Sequence, residues 1–167
     1  MKRIFLAITL ILIIIIFLYF GLGGPPAPDI FVENRTVTNF TNLFYDYEIS
    51  KYYSDVEIIP LDNGENVEIG FVSDTWNLRF GKLPGMGSYT KREMTLTNKN
   101  EFPSRIILKA YGNVSPLVVF NTSDFVLGGG EQITIDIYCF ANNTGIGIYS
   151  GEIDIISKRP KYQFIPV

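Results

Sequence analysis

Hydrophobic residues are distributed along this chain in two unlike ways. In residues 4–22 they run together, 19 consecutive positions without a charge and dominated by Ile, Leu and Phe. At about 1.5 Å per residue this run predicts a helix about 28 Å long, close to the roughly 30 Å hydrocarbon thickness of a bilayer. After residue 25 no helical period is sustained, and apolar side chains recur at every second position instead. Val67-Glu68-Ile69-Gly70-Phe71 and Trp76-Asn77-Leu78-Arg79-Phe80 each place their apolar members on one face. Met94 and Leu96 alternate with Glu93, Thr95 and Thr97, and Ile106, Leu108 and Ala110 alternate with Arg105 and Lys109. Ile133-Thr134-Ile135-Asp136-Ile137-Tyr138-Cys139 is the longest such run, and Glu152-Ile153-Asp154-Ile155 closes the series. Period-two alternation broken by turn residues predicts half-buried strands, and so an all-β sandwich behind the helix.

The breaks between strands are equally legible. Asp62-Asn63-Gly64-Glu65 separates apolar stretches at 56–61 and 67–72 and predicts a hairpin. Pro84-Gly85-Met86-Gly87 precedes a strand expected at 89–98, Gly128-Gly129-Gly130 precedes the long run, and Asn142-Asn143-Thr144-Gly145 follows it. Pro60 has no amide hydrogen and points to a sheet edge or a bulge. Residues 40–53 hold Phe40, Phe44, Tyr45, Tyr47, Tyr52 and Tyr53; they are read either as an outer strand whose rings pack or as an aromatic patch for a partner, with packing preferred.

Charge gives the helix a direction. Lys2 and Arg3 precede it, whereas Asp29, Glu33 and Arg35 follow it with a net negative charge. The expectation is a single-pass membrane anchor with a cytoplasmic N-terminus and an extracytoplasmic C-terminal domain. A cleaved signal peptide shares the charged start, but its apolar core is usually about 7–15 residues and ends in a small-x-small site. Either reading exports the domain. Three prolines among Pro25-Pro26-Ala27-Pro28 favour an extended polyproline stalk. The expected organisation is therefore 1–24 as cytoplasmic tip and transmembrane anchor, 25–32 as stalk, and 33–167 as one β-sandwich domain.

Composition narrows the chemistry. A net charge of −3 offers no basic patch for nucleic acid, and 13 Phe and 10 Tyr favour strands. Cys139 is the single cysteine, so an intrachain disulfide is impossible, and its place in the alternation puts it on a core face. There is no His, which removes the usual neutral-pH general base and the commonest metal ligand. No nucleophile elbow or dinucleotide loop is present; Gly145 to Gly151 leads into a strand where a helix would be required. The loop at Asp62 lacks the alternating oxygens of a calcium site. Glu152 and Asp154, like Asp136, face outward, where solvated charge is the default. Catalytic, cofactor-binding and metal-binding residues are thus expected to be absent. Five Asn-x-Ser/Thr sequons, at Asn34, Asn39, Asn113, Asn121 and Asn142, exceed chance and are candidate N-glycosylation sites.

Residues 89–157 resemble the immunoglobulin-like sandwich modules of prokaryotic cell-surface proteins. The matching residues are Leu96-Thr97-Asn98, Gly129-Gly130-Glu131 and Gly147-Ile148-Tyr149-Ser150-Gly151-Glu152-Ile153-Asp154-Ile155. This resemblance implies an immunoglobulin-like β-sandwich and is silent on activity, because such sandwiches host many roles. In layout alone, one helix plus one small domain is similar to the stator-type accessory proteins of the archaeal swimming filament. Two functions are therefore expected in competition. One is a membrane-tethered, glycosylated structural or interaction module that engages an envelope protein or polymer through an apolar patch or an unpaired edge strand. The other is a glycan-binding accessory domain of a transporter or envelope enzyme, with a concave site where aromatic rings meet carboxamides.

Overall fold

In a computed structural model, residues 2–60, 77–85, 87–141, 144–162 and 164–167 are described; within the N-terminal helix, side chains are described at residues 4 and 7–18. Among the described residues there are nine strands: β1 Thr36–Thr41, β2 Tyr45–Ile59, β3 Lys82–Pro84, β4 Tyr89–Thr97, β5 Ser104–Gly112, β6 Val118–Phe120, β7 Asp124–Leu127, β8 Gln132–Phe140 and β9 Gly147–Pro160; the alternation expected at 76–80 forms no strand at residues 77–80. They form two sheets. The first runs β1-β2-β9-β5-β7, with β3 beside β2, and the second runs β4-β8-β6. Every pairing is antiparallel except β2 with β3.

Register explains why these residues share a core. In β2 the even positions Tyr52, Ser54, Val56 and Ile58 face inward, beside Ile153 and Ile155 of β9 and Ile106 and Leu108 of β5. Ile135, Ile137 and Cys139 of β8 belong to the same buried cluster and are 0% exposed. Two apolar sheet faces close on each other, and each fully buried Ile contributes about 1.5–3 kcal/mol relative to exposure.

Residues 40–53 adopt the packing reading. They complete β1 and begin β2, which pairs with β9 from Tyr45↔Pro160 to Ile58↔Gly147. The other edge of β2 is shared. β1 covers residues 46–51, while farther along the Leu78 amide donates to the Tyr53 carbonyl and the Phe80 amide to that of Asp55. Pro60 stands just beyond the end of β2. The turn at 62–65, the alternation at 67–71, Trp76, Met86 and Asn142 lie outside the described residues.

The expected transmembrane anchor is corrected. Helix α1 spans Lys2–Leu22, but among the described residues no helix is long and apolar enough to cross a membrane. The fold is therefore a mostly β architecture with one helix, not a domain behind a spanning anchor. The expected single-pass localisation falls with it. Apolar side chains of α1 from Ile8 to Leu18 are exposed, and Phe17 meets Phe44 edge-on at 5.7 Å between ring centroids. The side-chain amide of Asn42 also donates to the Gly23 carbonyl at 2.7 Å.

Candidate functional site

The two short motifs at 96–98 and 129–131, far apart in sequence, meet in space. The Asn98 amide donates to the Glu131 carbonyl and its carbonyl accepts from the Gly130 amide, both at 2.9 Å. The side-chain amide of Asn98 donates to the carbonyls of Phe102, Leu127 and Gly128 at 2.9–3.0 Å. One buried carboxamide thus ties the β4–β5 turn to the β7–β8 turn. Gly129 is required there because a Cβ would lie 2.2 Å from the Glu101 carbonyl oxygen.

Beside this staple the sandwich is open. A cleft of about 370 Å³ lies between β4 and the first sheet. Its floor includes Ile106, Leu127 and Ile155, and its walls include Met94 and Leu96 of β4 and Tyr52 of β2. Arg35, Glu48 and Lys99 stand exposed at its rim. β4 is an end strand, paired with β8 on one side and with no described strand on the other. Its inward Met94 and Leu96 are only half-buried, as is Ile133, the β8 partner of Leu96, whereas Ile135, the partner of Met94, is fully buried. Toward the other end of the same edge, Arg92 points inward and donates to the Arg79 carbonyl. An inward charge of this kind discourages strand addition, so the receptive part of the edge is residues 94–98.

The cleft contains a tyrosine and two asparagines, as the glycan-binding expectation requires. Those amides are already engaged. Asn98 is committed to the turns, and Asn100 donates its side-chain amide to Asn98 Oδ1 while its own Oδ1 accepts from Arg159 at 2.6 Å. The ring of Tyr52 is faced by the Arg35 guanidinium, 5.4 Å from its centroid.

A second chemically distinctive cluster lies on the opposite, outer face of the first sheet. Cross-strand register places Tyr53, Glu152 and Tyr111 in one row and Lys51, Asp154 and Lys109 in the next. Both carboxyls face outward as expected, but solvation is a further correction: Glu152 is 0% exposed and Asp154 3%. Glu152 Oε1 lies 3.0 Å from Lys51 Nζ, and Glu152 Oε2 accepts from the Val32 amide at 2.8 Å. Asp154 hydrogen-bonds with Glu152, while its Oδ1 is buried without a partner. Burial, then that hydrogen bond and the Glu152 charge, push Asp154 up to about 7 against the pull of Lys51 and Lys109. Burial, and then the same two carboxylates, also raise Tyr111. The alternation could not reveal this burial, because the covering segment comes from residues 28–35, more than a hundred positions earlier.

On the outer face of the second sheet, Tyr89, Tyr138 and Phe140 form an aromatic cluster with ring centroids 5.6–6.3 Å apart. Asp136 lies in the adjoining row, 3.4 Å from Lys91. The sequons are not brought together. Asn34, Asn39, Asn113 and Asn121 are exposed at separate places, and Asn121 Oδ1 accepts from the amides of Thr122 and Asp136. Among the described residues, no group of three or more His, Cys, Asp or Glu could hold a metal ion.

Cys139 faces the core as its alternation predicts, and burial pushes its thiol up to about 12. It is expected to resist a thiol-reactive disulfide reagent in the native protein and to react fully in denaturant. Native labelling at the rate of a free thiol would show that the sheets do not close over it. No known protein family, curated protein or solved structure matches this chain.

Proposed function

We propose that this protein is a non-catalytic interaction module that binds an extended segment of a partner polypeptide along β4. The observation that carries the reading is the edge at 94–98: core-facing Met94 and Leu96, half-buried, stand beside an apolar-floored cleft on a strand that, among the described residues, is paired on one side only. An added strand would satisfy backbone groups of β4, and its alternate apolar side chains would enter the cleft. Arg35, Lys99 and Glu48 would meet its polar positions at the rim. Of the two functions expected from sequence, the interaction module is favoured, because the amides that a sugar would use are already bonded.

The test is a photocrosslinking residue at Thr97 in the full chain, with one at Glu57 as control. The expected adduct maps to one contiguous partner segment with apolar residues at every second position, and the Thr95 and Thr97 amides, which alternate with those turned toward β8, gain exchange protection in the complex. Leu96→Lys, which places a charge at the edge, is expected to reduce adduct yield about tenfold or more. Equal adducts from both positions, or yield unchanged by L96K, would refute strand addition.

A further inference from the structure

The N-terminal segment that covers the acid pair touches it through a single backbone donor, the Val32 amide on Glu152 Oε2. Phe31 lies against the β5–β9 contact, where its ring would be 2.9 Å from a Cβ placed on Gly112. Beneath this segment one cation, Lys51, is bonded to the pair, and Asp154 Oδ1 has no partner. We propose that residues 28–35 form a proton-operated latch, closed over Glu152 and Asp154 while the two carboxyls share one proton and lifted when that proton leaves.

The charge count underlies the latch. With one proton shared, the buried pair carries a single negative charge, matched by Lys51. Without it, two negative charges lie out of water, and the second has no bonded cation. Lys109 occupies the neighbouring register position but is exposed. The other groups around the pair are Tyr53 from β2 and Tyr111 from β5, and the segment itself brings Asp29, Glu33 and Arg35, all exposed. Arg35 is directed at the Tyr52 ring on the core side. No second cation is buried with the pair, so water is the remaining means of stabilising the doubly ionised form, and it enters by opening the segment.

The sign follows from the raised Asp154. Its closed-state value of about 7 lies above the ordinary carboxyl value of about 3.9, so the closed form binds the proton more tightly. The preference for closure is full below about pH 4, declines as pH rises toward about 7, and is gone above it. Hydrogen exchange on the full chain, corrected for the intrinsic pH dependence, tests this. Protection of residues 28–35 is expected to fall about tenfold or more between pH 5 and pH 8, while that of β8 stays constant. Asp154→Asn keeps the shape and removes the proton, so its protection should not vary with pH. A flat wild-type profile, or a D154N profile that still falls, would overturn the latch. If D154N does not fold, wild-type NMR decides: the Asp154 carboxyl carbon and the Val32 amide should titrate together near pH 7, and separate midpoints would refute the coupling.

Discussion

Replacing Lys51 with Met is expected to lower the free energy of unfolding by about 3–5 kcal/mol, because it leaves Glu152 buried without its cation. Lys51 is itself only 17% exposed at its side chain, and Glu152 is 0% exposed, so water cannot take the place of the lost ammonium. The exposed pair Lys82–Glu57 supplies the contrast, since breaking such a pair is expected to cost less than about 1 kcal/mol. Adding Glu152→Gln should restore more than half of the stability at pH 5, where the segment over the pair is closed, since an amide keeps an acceptor for the Val32 amide and carries no charge. Denaturant unfolding of the four-member cycle measures both effects. A K51M loss of less than about 1 kcal/mol would place this pair with the surface bridges.

Gly151→Ala is expected to cost about 3 kcal/mol or more, the upper end for overpacking a close-packed interior. A Cβ at this position would lie 1.9 Å from the Tyr111 carbonyl oxygen and 3.0 Å from Val114 Cγ1. The first of these atoms is backbone in β5, and no side-chain rotation moves it. Gly151 pairs with Ser54 of β2 on one side and Gly112 of β5 on the other, so relief must separate strands at the centre of the larger sheet. Gly130 is the comparison: a Cβ there meets nothing within 4 Å, but φ is +73°. Ala at Gly130 should therefore cost only the left-handed backbone penalty of about 1–2 kcal/mol. Thermal or denaturant unfolding of the two variants should rank them in that order, and equal losses would show that close approach at Gly151 is not the cause.

These two positions show where local reading stops. Gly151 belongs to a recurring Gly-Ile-Tyr-Ser-Gly pattern, and the pattern signals a strand. The need for glycine comes from β5, forty residues earlier in the chain. Lys51 and Glu152 are likewise unremarkable as members of alternating strands. Their pairing requires the antiparallel register of β2 with β9, which no local pattern contains. The anchor expectation is corrected as well: a run of apolar residues states what a segment would do in lipid, whereas among the described residues no helix is long and apolar enough to cross a membrane. For the candidate cleft, Met94 and Leu96 were legible as inward residues. That β4 is an end strand was not, because strand order is set by pairing across long sequence separations.

The sequence by itself determined where most of the described strands lie, which side chains of each face inward, that Cys139 is a core residue, and where several turns fall. Backbone sterics and period-two alternation act within a few residues, so these properties are written locally. Only the tertiary structure decided that β2 joins β9 along its length, that β4 among the described strands pairs on one side only, beside a cleft, and that the outward carboxyls of Glu152 and Asp154 are buried. A strand's outward face is solvent only until another segment covers it. Here the Val32 amide, from far earlier in the chain, reaches Glu152 of β9 through the fold, and two acids that look solvated in the sequence are buried.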